Sequence, residues 1–213
     1  MSTLLRCEQI EKYFDFPKLH QHQRVFSTTR AAFPLALGGM GSGKSLALII
    51  RAMFLSTDTP YFGDMSGNVG IIGRQHRTDL VNTTMQDFFE LIDSSWIKSF
   101  DKQFYKLTLV NGSILFFVPL EEETRFRSMN LGWAAIEQIE ETRNNVFEEL
   151  AIRRVRRKTS LNGQPINFHS CFAVANPCAG WVSELWEANE MRLRSRDKTE
   201  RKLFNPDFLT VHS

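Results

Sequence analysis

The residues best placed to do chemistry are consecutive: Gly38-Gly39-Met40-Gly41-Ser42-Gly43-Lys44-Ser45. They match the spacing G-x-x-x-x-G-K-[ST], in which glycines let backbone N–H groups turn inward around a phosphate. In that chemistry Lys44 bridges the β- and γ-phosphates, and the Ser45 hydroxyl ligates Mg²⁺. All eight residues, Met40 included, form the candidate nucleotide site, with ATP and Mg²⁺ as the expected cofactors.

Such a loop works only between a strand and a helix whose positive end faces the phosphates. Phe33–Leu37 is a short apolar run ending in glycines, as expected of a buried strand. Lys44 to about Ser56 carries apolar residues all round, as expected of an enclosed helix. Upstream, a short helix, a turn at Phe16-Pro17 and a second helix near His20–Thr29 are predicted. Further strands are predicted at Val69–Ile72, Trp133–Ile136 and Asn167–Ala175. Helices are predicted at Asp79–Asp93, Val146–Arg157 and Trp181–Arg194. Phe104–Val118 reads as a β-hairpin turning at Asn111-Gly112, a pair suited to two central residues with positive φ. Strands alternating with helices imply parallel crossover units. The expected fold is a three-layer α/β P-loop NTPase domain of ASCE type, with a mostly parallel central sheet and an added antiparallel hairpin.

A triphosphate site also needs an acid near the metal. Glu137 follows the strand Trp133–Ile136 and is the candidate, with Ser45, for holding Mg²⁺. Hydrolysis needs a base or water-orienting group. Gln138 stands where many such ATPases carry Glu, and Glu140 and Glu141 follow within one turn. These acids also suit a solvated helix start. Asn176, at the end of Ala173-Val174-Ala175, could sense the γ-phosphate, since strand carboxyl ends converge on the ligand crevice in parallel sheets. An ordinary Asn-Pro turn is the plainer alternative.

Composition sets limits. The chain has 213 residues, 42% of them hydrophobic, which suits a single α/β domain with a full core. The net charge of +2 means that nucleic-acid contact must come from local patches. Cys7, Cys171 and Cys178 lack disulfide or zinc spacing and fit a reducing compartment. No run reaches the length of a membrane span, so no membrane partner is expected. Arg153-Arg154-Val155-Arg156-Arg157-Lys158 could contact DNA phosphates, complete a neighbour's ATP site, or be a solvated helix end. The cluster from Arg192 to Lys202 reads as solvated helix and linker. Tyr13, Phe14 and Phe16 could stack on adenine, or cap a core.

Four segments together resemble the N-terminal ATPase domain of the large terminase subunit of tailed bacteriophages, a DNA-packaging motor. They are His22-Gln23, Gly38–Ser45, Leu131–Glu141, and Ala175-Asn176-Pro177 with Gly180-Trp181-Val182. The likeness runs over nearly the whole chain. It implies hydrolysis of ATP to drive double-stranded DNA into a procapsid. It implies that Gln23 reads adenine, that Glu137 binds metal, and that Asn176 couples hydrolysis to motion. Portal protein, the small terminase subunit and further copies in a ring are the implied partners, in host cytoplasm docked on the procapsid. It divides the chain into an adenine-side helical segment (1–32), an ATPase core (33–195) and a linker start (196–213) toward a nuclease domain. No nuclease activity is expected of these residues.

Two departures from that pattern matter. Terminase loops often carry Arg where this one has Met40, so Arg74, Arg77, Arg125 or Arg127 would have to substitute, from the same chain or a neighbour. Gln138 stands in place of the usual catalytic Glu, which leaves Glu140 or Glu141 as the base. Rival functions are a P-loop phosphotransferase (a kinase), another nucleic-acid translocase or helicase-type ATPase, and a nucleotide-binding module with impaired hydrolysis.

Overall fold

The computed structural model describes residues 5–194, 199 and 205–213. In chain order the elements begin with α1 (Cys7–Tyr13) and α2 (Gln21–Thr28). Then come β1 (Phe33–Leu37), α3 (Lys44–Phe54), the two-residue strands β2 (Asp58–Thr59) and β3 (Gly63–Asp64), and β4 (Val69–Arg74). Next are α4 (Arg77–Asp79), α5 (Met85–Leu91), β5 (Ile97–Asp101), β6 (Lys106–Leu109) and β7 (Ile114–Pro119). The last are β8 (Trp133–Ile136), α6 (Asn144–Glu148), β9 (Ser170–Ala175), α7 (Ala188–Arg194) and β10 (Phe208–His212).

Eight strands form one sheet in the order β10-β1-β9-β8-β4-β7-β6-β5. The six from β10 to β7 are parallel, and β6 and β5 are antiparallel additions. This is the expected three-layer α/β architecture with a mostly parallel sheet. The layers can be read residue by residue, because side chains alternate across a strand. On β9, Phe172 and Val174 face the core under α2 and α3, while Cys171, Ala173 and Ala175 face the core under α6. On β8, Trp133 and Ala135 take the first side and Ala134 and Ile136 the second. Both faces are covered, so β8 and β9 are buried at every position and show no polar alternation.

Close packing fixes the register. Gly70 on β4 lies opposite Trp133 on β8. A Cβ on Gly70 would come within 2.0 Å of the indole, so the glycine makes room for that ring. Arg51 of α3 is fully buried. Its guanidinium donates to the carbonyls of Phe26, Thr29 and Ala31 and to Ser170 Oγ, and sits against the rings of Phe62, Phe172 and Phe26. It therefore joins α2, the phosphate-loop helix and the start of β9.

Several expectations change. The hairpin at Asn111-Gly112 exists, but only Gly112 has positive φ (85°). Gly112 N donates to Leu109 O and Leu109 N to Ser113 O, a three-residue loop with its left-handed residue last. Asn111 is buried instead, donating to Ser56 O. The expected helix Val146–Arg157 starts at Asn144 and ends at Arg154, its last turn a wide π-turn. Val155 then bridges to Leu131, so Arg156, Arg157 and Lys158 are not on a helix. Phe208–His212, expected to begin a linker, is the edge strand beside β1. Ser213 N donates to Leu37 O at 3.0 Å, and a Cβ on Gly38 would overlap Ser213 Oγ. Of the basic cluster Arg192–Lys202, residues 195–198 and 200–202 lie outside the described residues.

Candidate functional site: the phosphate-loop cleft

The parallel strands β1, β9, β8 and β4 all end at one edge of the sheet. There, a cleft of ≈ 350 Å³ is lined by Met40–Ser45, Arg74, Glu137, Gln138, Val174, Ala175 and Asn176. The loop leaves β1 and enters α3 through Gly41 (φ 75°) and Gly43 (φ 77°), conformations costly for residues with a Cβ. A Cβ on Gly43 would also meet Gln23 Nε2 at 2.2 Å.

Behind the loop, α2 acts as a brace. Gln23 is buried; its Nε2 donates to Gly43 O and its Oε1 accepts from His20 N. His22 Nε2 lies 3.1 Å from Ser42 O. The rings of His20 and His22 stack at 5.5 Å, although helical spacing two apart would separate them. His20 precedes the helix as its N-cap, so that rule does not bind it. Tyr13 and Phe14 pack on Trp96, and Phe16 on Phe54, as core-capping aromatics.

Within the cleft, Lys44 Nζ donates to Gly38 O and Gly39 O, both at 2.6 Å, and to Asn176 Oδ1 at 3.3 Å. Desolvation pulls the Lys44 pKa below the ordinary lysine value, and the charges of Glu140 and Glu137 partly offset that. Ser45 Oγ donates to Glu137 Oε1 at 2.6 Å across the intervening strand β9. A hydroxyl and a buried carboxylate beside a glycine cradle are hard oxygen donors, and they fit Mg²⁺.

After Glu137 the chain turns sharply. Gln138 adopts φ 49°, and Ile139–Glu141 form one 3₁₀ turn. This turn separates the three candidates for the base. Glu140 Oε1 accepts from Asn176 N at 3.0 Å and Nδ2 at 2.9 Å, while its Oε2 is buried without a hydrogen-bond partner. Glu141 is exposed, with Arg74 Nε 3.8 Å away. Gln138 Oε1 accepts from Arg74 Nη2, and Arg74 Nη1 donates to Thr83 Oγ1.

The other arginines lie elsewhere. Arg77 is bound to the Tyr105 hydroxyl, Arg125 to Glu122 and Arg127 to Glu123, and none of them lines the cleft. Arg153 and Arg154 both pair with Glu149. Among the described residues, no His, Cys, Asp or Glu cluster has metal-holding geometry, and no helix is long and apolar enough to cross a membrane. Sequence reasoning missed His22 and Ser213 as supports of the loop, since neither belongs to the phosphate-loop pattern.

No protein-family model matches this sequence, and no curated protein does. Among solved structures, the chain is similar to the large terminase ATPase domain of Thermus phage P74-26, with TM-score 0.65 and 15% identity, over 98% of this chain and 86% of that one. It is similar to the full large terminase of another thermophilic bacteriophage, with TM-score 0.63 and 11% identity, over 91% of this chain and 45% of that one. The N-terminal domain of the bacteriophage phi29 DNA packaging ATPase matches with TM-score 0.50 and 14% identity, over 74% of this chain and 78% of that one. The chain thus has the fold of a large-terminase ATPase domain, and it spans under half the length of the second of these proteins.

Proposed function

We propose that this chain is the ATP-hydrolysing motor domain of a viral genome-packaging terminase, coupling Mg²⁺-dependent ATP hydrolysis to translocation of double-stranded DNA into a procapsid. The observation that carries this reading is the pairing of Ser45 with Glu137 at 2.6 Å inside a cleft that also holds Lys44 and Asn176. The fold likeness over 98% of the chain supports the packaging role.

Each residue has a distinct task. Backbone N–H groups of Gly39–Gly43 cradle the phosphates, and Lys44 exchanges its loop carbonyls for phosphate oxygens. Ser45 and Glu137 hold Mg²⁺, which supplies charge neutralisation on the β- and γ-phosphates. Glu140 is the base: one oxygen is fixed by Asn176 and the other is left to take a proton from water. Asn176, touching both Lys44 and Glu140, is the coupling residue. Gln23 holds Gly43 in place and meets adenine from the α2 side. Glu141 and Gln138 act on Arg74 rather than on water. Exposed arginines such as Arg125 and Arg127 are available to a neighbouring copy in a ring, and Arg153–Lys158 to DNA phosphates. Portal protein and the small terminase subunit complete the machine in the host cytoplasm.

Product analysis tests this. The expected result is free phosphate from ATP, released faster when double-stranded DNA is added. Labelled phosphate transferred to a small acceptor would identify a phosphotransferase instead, and strand separation would identify a helicase.

A further inference from the structure

We propose that Arg74, from the same chain, is the cation that reads the γ-phosphate and so lets this site tell a nucleoside triphosphate from a diphosphate. The inference rests on the nucleotide-site reading of the cleft, and it fills the place left by Met40, an uncharged side chain 94% exposed at the loop tip.

Position comes first. Arg74 is the last residue of β4, and β4 pairs with β8, so Arg74 and Glu137 emerge side by side at the carboxyl edge of the sheet. Arg74 lines the cleft together with Lys44, Ser45, Glu137, Gln138 and Asn176. Arg77, Arg125 and Arg127 do not.

The second argument is charge. The Arg74 side chain is 13% exposed, yet its two direct hydrogen-bond acceptors, Gln138 Oε1 and Thr83 Oγ1, are neutral. Its Nε is buried with no hydrogen-bond partner, and the Glu141 carboxylate stands off at 3.8 Å. A guanidinium with unsatisfied donors and a distant counter-ion is incompletely neutralised. A phosphate oxygen would give it the charge-assisted bonds that it lacks. Lys44 and the glycine cradle already serve the β-phosphate, so the extra cation one strand beyond Glu137 favours the terminal group.

The third is the link to Gln138. When Arg74 turns to phosphate, it releases the Gln138 amide at the left-handed position between Glu137 and the turn carrying Glu140. Phosphate occupancy is thereby reported to the segment that holds the base.

The test is nucleotide affinity, measured by calorimetric titration of wild type, Arg74→Ala and Arg74→Lys with ATP and with ADP, in Mg²⁺ and without turnover. The expected result for Arg74→Ala is ATP affinity reduced about tenfold or more, with ADP affinity unchanged within about twofold; tenfold corresponds to about 1.4 kcal/mol. Arg74→Lys, which keeps the charge and guards against a folding defect, should recover part of the ATP preference. Equal losses for ATP and ADP in both variants would mean a purely structural arginine and would overturn the proposal, as would no loss at all. If wild-type protein binds neither nucleotide, the nucleotide-site reading fails first and this assignment falls with it.

Discussion

Glu140 gathers both amides of Asn176 onto a single carboxylate oxygen, at 3.0 Å from the backbone N and 2.9 Å from Nδ2. The second oxygen of Glu140 is buried and unpaired, so the acid is held by one end and free at the other. Asn176 meanwhile accepts from Lys44, placing one amide between the phosphate-binding cation and the acid.

That asymmetry separates Glu140 from its neighbour. Glu140→Gln should lower the ATP turnover number by about 10² or more, the usual weight of a positioned base, while ATP affinity stays near wild type. Glu141→Gln, at an exposed position, should cost under about tenfold on the same scale. Steady-state kinetics of both variants checks this, and a larger loss at Glu141 would reverse the assignment.

Ser45 and Glu137 make a prediction about metal. Ser45→Ala and Glu137→Gln should each raise the Mg²⁺ concentration needed for half-maximal turnover by about tenfold, a loss near 1.4 kcal/mol. Chelation of Mg²⁺ should stop turnover in the wild type. Two variants with the wild-type Mg²⁺ response would remove these residues from the metal site.

Arg51 predicts a stability effect remote from the phosphates. Arg51→Met withdraws donors from three carbonyls and a hydroxyl in the interior. Stranded buried acceptors cost about 1–3 kcal/mol each, and methionine regains part of that through packing, so a net loss of about 2–4 kcal/mol is expected. Denaturant unfolding measures it. An unchanged midpoint would mean that the carbonyls find other donors.

Lys44 predicts a pH effect in nucleotide-free protein. Desolvation lowers its folded pKa below the unfolded one. The buried cation therefore costs stability at neutral pH, and the cost is relieved as pH rises through the folded pKa toward the ordinary lysine value. Relative to wild type, Lys44→Met should melt at progressively lower temperature as pH is raised from about 7 to about 10. A flat or rising difference in thermal melts would contradict that sign.

Sequence and structure part company at instructive places. The phosphate loop is legible because its chemistry depends on spacing along the chain, and Glu137 and Asn176 because each ends a run of buried apolar residues. The choice among Gln138, Glu140 and Glu141 is not legible, since it depends on the left-handed turn at Gln138 that points neighbouring side chains to different surroundings. The arginines share that difficulty: Arg74 and Arg77 differ only in whether the chain is still in β4. Strand β5 escapes notice because it is a half-exposed edge with a weak apolar pattern. The turn at Asn111 misleads because the asparagine serves a buried carbonyl rather than a positive φ.

The edge strand has a mechanical meaning. Strand β10 runs parallel to β1 from Phe208 opposite Phe33 to His212 opposite Leu37, and Ser213 then rests against Gly38. A pull along β10 loads that ladder in shear, so the paired residues bear it together and do not peel apart one at a time. The loaded end of the ladder is the first glycine of the phosphate loop. Tension in the strand and distortion of the loop are therefore two readings of one spring, and work done at the phosphates has a stiff path into the rest of the chain.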